Sequence, residues 1–166
     1  MRFADTPTVE VEVHVEAPPE QVWPVVADIS MPTRFSAELQ EVTWLDGAAG
    51  AAPGARFKGR NHHPRRGEWE TTSTVVACDP GRVFAWAVGD PDRPSAVWRF
   101  ELEPSGTGTR LRQWAQMGPG PSGVTMLLEQ MPDKEEAIIA RRLGEWRQNM
   151  TATVEGVKGL AEIGRP

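Results

Sequence analysis

The stretch DKEEAIIARRLGEWRQNMTATVEGVKGL, residues 133–160, decides the fold. Ile139, Leu143, Trp146, Met150, Val154 and Val157 recur at steps of four and three, which lays them along one stripe of an α-helix. Glu135, Glu136, Arg141, Arg142, Glu145 and Arg147 fill the other sides. The two leading glutamates sit where a helix dipole favours negative charge. With Pro132 just before them, the pattern predicts one long amphipathic helix from about 133 to 160. Such a helix needs a long apolar surface to cover its stripe.

The rest of the chain supplies that surface as a sheet. Val9, Val11, Val13 and Val15 alternate with Glu10, Glu12, His14 and Glu16, which makes a strand with one buried and one wet face. His14 falls on the wet side. Pro18-Pro19-Glu20 then opens a short helix in which Val22, Trp23, Val26 and Ile29 share a face. Met31-Pro32 is expected to end it, with a second short helical turn over 34–37. Six further strands are expected near 39–46, 55–63, 67–78, 82–88, 95–104 and 109–117. They are punctuated by Gly47 to Gly54, Pro64 to Gly67, Asp79-Pro80-Gly81, Gly89 to Pro94, and Ser105 to Gly108. Spacings this short join antiparallel neighbours. The reading is α+β: about seven antiparallel strands curved around one long C-terminal helix, with two short helices after the first strand. There is no internal repeat or linker, so residues 1–166 are read as a single domain with its core at 8–160.

Composition narrows the chemistry. The 166 residues contain seven Trp, five Phe and no Tyr, with one cysteine, Cys78, and three histidines, His14, His62 and His63. No tyrosine can act as acid or nucleophile, and neither an intrachain disulfide nor a multi-cysteine zinc site can form. A single Cys suits a reducing compartment. Lys and Arg total 18 against 23 Asp and Glu, a net charge of −5, and the pI is near 5.3. That balance argues against a nucleic-acid partner. The run Arg56, Lys58, Arg60, His62, His63, Arg65 and Arg66 reads as a solvated strand face and hairpin tip. No segment has the length and apolarity for a membrane span, and the first ten residues lack an apolar leader core, so the expected location is the cytoplasm.

The order of elements, with its local wording, resembles the SRPBCC superfamily of START-like, helix-grip proteins, and within it the polyketide cyclase/dehydrase-like branch. The residues that carry the resemblance are Ala17-Pro18-Pro19-Glu20-Gln21-Val22-Trp23 leading to Asp28, and Gly54-Ala55-Arg56-Phe57-Lys58-Gly59-Arg60-Asn61. They continue with Trp69 to Val75, Asp79-Pro80-Gly81-Arg82-Val83-Phe84-Ala85-Trp86, Trp98-Arg99-Phe100-Glu101-Leu102 and Gly108-Thr109-Arg110-Leu111. The resemblance spans about residues 8–160. It implies a cavity between sheet and helix that holds lipids, sterols, polyketides or hormones, and enzymatic activity in only some members.

Alternation selects the side chains that could face such a cavity. Phe57, Asn61, Trp69, Thr71, Ser73, Trp98, Phe100, Gln113 and Met117 form the expected ligand-binding set: an apolar pocket with a few orienting polar groups. Trp114 sits on the opposite side by alternation but a bulge would reverse it, so Trp44, Trp86 and Trp114 are not assigned to either face. His62 and His63, being adjacent on a strand, point to opposite faces and cannot readily chelate one ion, so no metal is expected. One of them could face inward beside Asn61 and serve as a general base, which makes His62, His63 and Asn61 the catalytic candidates. Cys78 reads as a buried or half-buried thiol. Gly47 to Gly54, Gly89 to Pro94 and Gly118 to Gly123 are candidate lids.

Two functions follow. The first is a carrier or sensor for a hydrophobic small molecule, lipid- or polyketide-like, with Trp69, Trp98 and Phe100 in contact and Asn61 and Gln113 orienting it. The second is a cyclase or dehydratase that uses the same cavity. Neither calls for a cofactor or stable membrane insertion, and either suits a monomer or homodimer.

Overall fold

The computed structural model describes residues 1–163. Seven strands run β1 (Thr8–Val15), β2 (Leu39–Trp44), β3 (Arg56–His63), β4 (Gly67–Asp79), β5 (Val83–Val88), β6 (Ala96–Ser105) and β7 (Gly108–Met117). Three α-helices join them: α1 (Pro19–Val26), α2 (Gly123–Gln130) and α3 (Glu135–Glu162). The strands form one antiparallel sheet in the order β1-β7-β6-β5-β4-β3-β2. Five hairpins account for every neighbour except β1 against β7.

That order makes β1 and β2 the two edges, so the chain between them must cross the whole sheet. It crosses on the inner face. Val22, Val26 and Met31 from this connection are buried in one cluster with Phe84, Phe100 and Leu111. Its second helical turn is a 3-10 turn over Met31–Arg34 and not 34–37. Pro32 occupies the first turn, where the missing N–H costs nothing, so it starts this element instead of ending the last one.

Pleat and bulges decide which side chains face inward. Across β4, β5, β6 and β7, Val75, Trp86, Trp98 and Ala115 are directly opposed, as are Phe84, Phe100 and Gln113 from β5 to β7. The register of β4 shifts between Val75 and Ala77. The extra residue turns Val76 outward, 48% exposed, and brings Cys78 opposite Phe84, half-buried against the core. A second irregularity lies between Leu39 and Glu41 in β2. Bulges of this kind bend a sheet and raise its local twist.

The stripe of α3 is buried as its spacing predicts, from Ile139 at 0% to Val157 at 0% exposed. It divides between two apolar clusters. Val154, Val157 and Ala161 pack with Val15, Phe57, Phe84, Phe100 and Leu111. Ile139, Leu143, Trp146 and Met150 pack with Val9, Ala96, Ala115 and Met117. The helix runs chiefly along β1 and, near its C-terminal half, α1. Phe35 presses on it where a Cβ at Gly156 would come within 2.5 Å of the ring, so only glycine allows that approach. The short helix α2 has no counterpart in the sequence reading. Ser122 caps it, its Oγ accepting from the Val124 N–H at 3.2 Å. Among the described residues no helix is long and apolar enough to cross a membrane.

Candidate functional site

On the inner face of β3 to β6 most side chains are buried against α3 and the connection from β1 to β2, and a few near the β3–β4 hairpin are only half-buried. Trp69 is paired with Asn61 and Thr71 with Gly59, all on the inward side of the β3–β4 ladder, and Asn61, Trp69 and Thr71 are half-buried. Gly59 has no side chain to fill the space; a Cβ there would sit 3.3 Å from both the Leu39 Cδ1 and the Thr71 Oγ1. Deeper along the same face Trp86 contacts Phe57, Phe84 and Phe100 with ring centroids 5.9, 5.3 and 6.0 Å away. Trp98 stacks on Trp146 of α3 at 4.7 Å, which ties the central strands to the helix at one point. The result is a row of packed aromatic rings on the inner face, with the half-buried Asn61, Trp69 and Thr71 at one end.

Of the expected ligand-binding set, Asn61, Trp69, Thr71 and Trp98 are inward and half-buried. Ser73 and Gln113 are inward and sealed, at 2% and 5% exposure. Phe57 and Phe100 are inward but belong to the packed aromatic wall. Met117 lies in the second apolar cluster with Ala96 and Ile139. Trp44 also faces inward, its ring 5.6 Å from Phe57. Trp114 faces outward and carries the Arg99 guanidinium 4.2 Å above its ring.

The pleat separates the two neighbouring histidines. His62 is exposed, opposite Glu68 on the outer face. His63 is inward, its side chain 12% exposed, with Nε2 3.3 Å from a Glu145 carboxylate oxygen. This places it at the half-buried end of that row, where the β3–β4 hairpin and the segment before β2 meet α3.

A charged network that sequence reasoning missed is built around that contact. Arg142, read from the sequence as a solvent-facing helix residue, is 7% exposed. Its Nη1 and Nη2 donate to the two Glu38 oxygens at 2.9 and 2.8 Å, and Nη1 also donates to Glu145 at 2.7 Å. Asn149 spans the same join: its Nδ2 donates to Glu38 at 3.1 Å and its Oδ1 accepts from the Ala37 N–H at 3.1 Å. Burial works against the Arg142 charge, but the hydrogen bonds and attraction of Glu38 and Glu145 outweigh it and hold the guanidinium protonated. Burial also opposes the Glu145 charge, and again Arg142 wins, with His63 and Arg66 assisting, so that the carboxyl is held below its ordinary range. Arg66 is the exception: burial and then the neighbouring Arg142 lower its pKa.

Glu38, His63 and Glu145 each offer a ligand atom, all within 4.8 Å of one another. Both carboxylates already accept hydrogen bonds from the Arg142 guanidinium, with Arg141 3.6 Å from Glu145. A separate open cleft of about 890 Å³ lies at the other end of the molecule, between the start of α1 and the β4–β5 and β6–β7 turns. It is lined by residues such as Pro18, Glu20, Arg82 and Gly106 and does not reach the histidine or the charged network.

The Glu145 shift sets an acid limit. A group with a depressed folded-state pKa contributes stability above its unfolded value, about 4.3 for glutamate, and loses it as pH falls through the folded value. Thermal unfolding midpoints should therefore drop as pH is lowered from about 4.3, with a shallower drop in Glu145→Gln. Identical slopes for the two proteins would contradict the assignment.

Residues 6–158 match the family described as polyketide cyclase/dehydrase and lipid transport. The chain is similar to the polyketide-cyclase-like protein Cgl2372 from Corynebacterium glutamicum, whose solution structure has 30% sequence identity and a TM-score of 0.64, with 94% of this chain and 91% of that one covered. It is also similar in fold to the Zhui aromatase/cyclase from a Streptomyces species, at 22% identity and a TM-score of 0.64, covering 94% and 93%. The protein Ara h 8.0201 shares the fold at 12% identity and a TM-score of 0.61, covering 93% and 97%. A search of curated proteins found no match.

Proposed function

Because this chain belongs to the polyketide cyclase/dehydrase and lipid transport family of helix-grip proteins, we propose that it binds a hydrophobic small molecule, lipid- or polyketide-like, in the groove between sheet and α3, as a carrier or sensor. One observation carries the reading. Trp69 and Trp98 face inward and yet are only half-buried, even though Trp98 lies against Trp146 of α3. Apolar surface left open on the concave side of a folded chain is stabilised by covering it, at roughly 25 cal/mol per Å² before association costs. Asn61 and Thr71 give that surface polar points for orientation. The negative net charge and single cysteine support a cytoplasmic setting.

His63 favours a second reading, an enzyme of the cyclase or dehydratase type. His63 Nε2 lies 3.3 Å from a Glu145 oxygen and Nδ1 accepts the Arg65 N–H at 3.0 Å, so it acts as a general base when substrate displaces one of these partners, with Glu145 then stabilising the imidazolium. Asn61, two residues earlier on the same face, could align a substrate carbonyl.

The test is titration with 1-anilinonaphthalene-8-sulfonate, followed by dye emission and tryptophan quenching, beside native mass spectrometry of the purified protein. Saturable binding of about one dye per chain, with quenching, is the expected result for a single preformed site. Flat titrations together with ligand-free spectra would overturn the proposal.

A further inference from the structure

Two consecutive amides close the tip of the β3–β4 hairpin on a single residue. The Arg66 N–H donates to the His63 carbonyl at 3.2 Å, and the Arg65 N–H donates to His63 Nδ1 at 3.0 Å. His63 therefore opens a four-residue turn with Pro64 in second place. Its ring nitrogen stands where an Asp or Asn side-chain oxygen commonly accepts from the amide two residues on. Unlike those oxygens, an imidazole nitrogen stops accepting once it takes a proton. A backbone amide can only donate, so the Arg65 bond fixes the neutral ring with its hydrogen on Nε2. Nε2 in turn faces Glu145 of α3 at 3.3 Å. One ring ties turn to helix, through different nitrogens.

Charged groups face this ring from every side. On α3, Glu145 accepts from Arg142 and lies 3.6 Å from Arg141. From the segment before β2, Glu38 brings a carboxylate oxygen within 4.8 Å, and its carbonyl accepts from the His62 N–H at 2.9 Å. The hairpin itself adds Arg65, Arg66, and the exposed His62 opposite Glu68. Arg66 also reaches α2, where its Nη1 lies 3.1 Å from the place a Cβ on Gly123 would take. Arg142 is held protonated and the Glu145 carboxyl is held below its ordinary range. Neither changes charge between about pH 5 and 8, where imidazoles ordinarily titrate.

We propose that His63 is a pH-sensitive latch on the hairpin tip: a proton taken from water at Nδ1 expels the Arg65 N–H, while Nε2 keeps its own proton and its hold on Glu145. One neutral hydrogen bond is lost and a charge-assisted one replaces the contact with α3. The ring stays on the helix, and the turn comes off the ring. With one of its two closing bonds gone, the segment Pro64–Arg66 loosens over Gly123. Trp69, which pairs with Asn61 two residues before His63, then becomes more open to water. Acid uncovers the half-buried end of the inner face, whether or not a ligand binds there.

The test is a titration of the full chain from about pH 8 to about pH 5.5, followed by proton–nitrogen correlation spectra of backbone amides, imidazoles and indoles. At the alkaline end the His63 ring should carry its hydrogen on Nε2. As it gains the second proton, the Arg65 amide signal should move with the same midpoint. Corrected for intrinsic rates, exchange of the Arg65 N–H should become about tenfold faster, and the Trp69 indole N–H should also exchange faster. His63→Asn is the matching control, because an Asn oxygen can accept the Arg65 N–H at this turn position without titrating. In that variant Arg65 and Trp69 should hold steady, while His14 and His62 titrate as before. A ring hydrogen on Nδ1 at the alkaline end would overturn the latch. So would an Arg65 amide indifferent to the ring's titration, a Trp69 indole that does not follow it, or the same changes in His63→Asn. The wild-type titration decides the matter even if the variant folds poorly.

Discussion

Replacing Arg142 with alanine should cost about 3–5 kcal/mol of stability and lower the thermal midpoint by about 6–20 °C. The size comes from what is left behind. Glu38 and Glu145 have side chains only 12% and 25% exposed, and Arg142 is the cation between them. Removing it strands two poorly hydrated carboxylates, which costs far more than losing an exposed ion pair. Arg142→Lys should recover little, since an ammonium cannot reproduce the fork that grips both Glu38 oxygens. The double variant Glu38→Leu with Arg142→Met should recover part of the loss, because it removes the most buried pair and leaves Glu145 with Arg141 at 3.6 Å and His63 at 3.3 Å. Urea unfolding of the four proteins checks the series. An Arg142→Ala variant within about 1 kcal/mol of wild type would mean that water reaches these carboxylates and the network is not buried in solution.

The network also bears on the shape of the proposed groove. Phe35 on Gly156, the Ala37 N–H on Asn149 and Glu38 on Arg142 lay the segment before β2 along α3. Together they fix the helix to the edge of the sheet farthest from β1. Between these contacts and the long contact with β1, the helix is held at both sides of the groove and need not fill it. A collapsed core would bury Trp69 and Thr71; this arrangement leaves them partly open.

Most of the fold was readable because it rests on periodicity. Strict alternation in Val9 to Val15 and the four-and-three spacing of Ile139 to Val157 are enforced by burial on one face, so they survive in a single sequence. Strand limits came within one or two residues because glycine and proline clusters mark the turns. The helix α2 was not legible, since its eight residues, GVTMLLEQ, are too few to show a period and its cap lacks the usual acidic third residue.

The site was legible only in part, for a physical reason. Alternation assigns a face to each strand residue, and it separated His62 from His63, while Trp114, left open because a bulge could reverse it, faces outward. It cannot say which inward residues are packed and which line a space, so Met117 and Asn61 looked equivalent. The charged network is assembled from three segments far apart in sequence. One signal was available: Arg142 follows Ile139 by three and precedes Trp146 by four, so it lies on the apolar stripe itself. A charged residue there is either a defect or half of a buried pair. Nothing local identifies Glu38 as its partner, because that contact joins residues 104 apart.

Filling the groove should abolish binding without unfolding the protein. Thr71→Trp is the variant to make. Thr71 is half-buried on the inner face beside the half-buried Asn61 and Trp69, so an indole placed there would cover the surface that the proposed ligand would use. Dye affinity should fall by about 100-fold or more, equivalent to about 2.7 kcal/mol. The midpoint should stay within about 2–4 °C of wild type, since little of the packed core is disturbed. Its neighbour supplies the control. Thr72 pairs with Lys58 on the other side of the same ladder, so Thr72→Trp adds the same indole one residue away on the outer face. It should bind as wild type does. The comparison turns on the pleat alone, with composition, net charge and strand identical. Equal binding by all three proteins would place the ligand outside the groove and transfer attention to the open cleft at the start of α1. Loss in both variants would point to a general weakening of the β3–β4 hairpin.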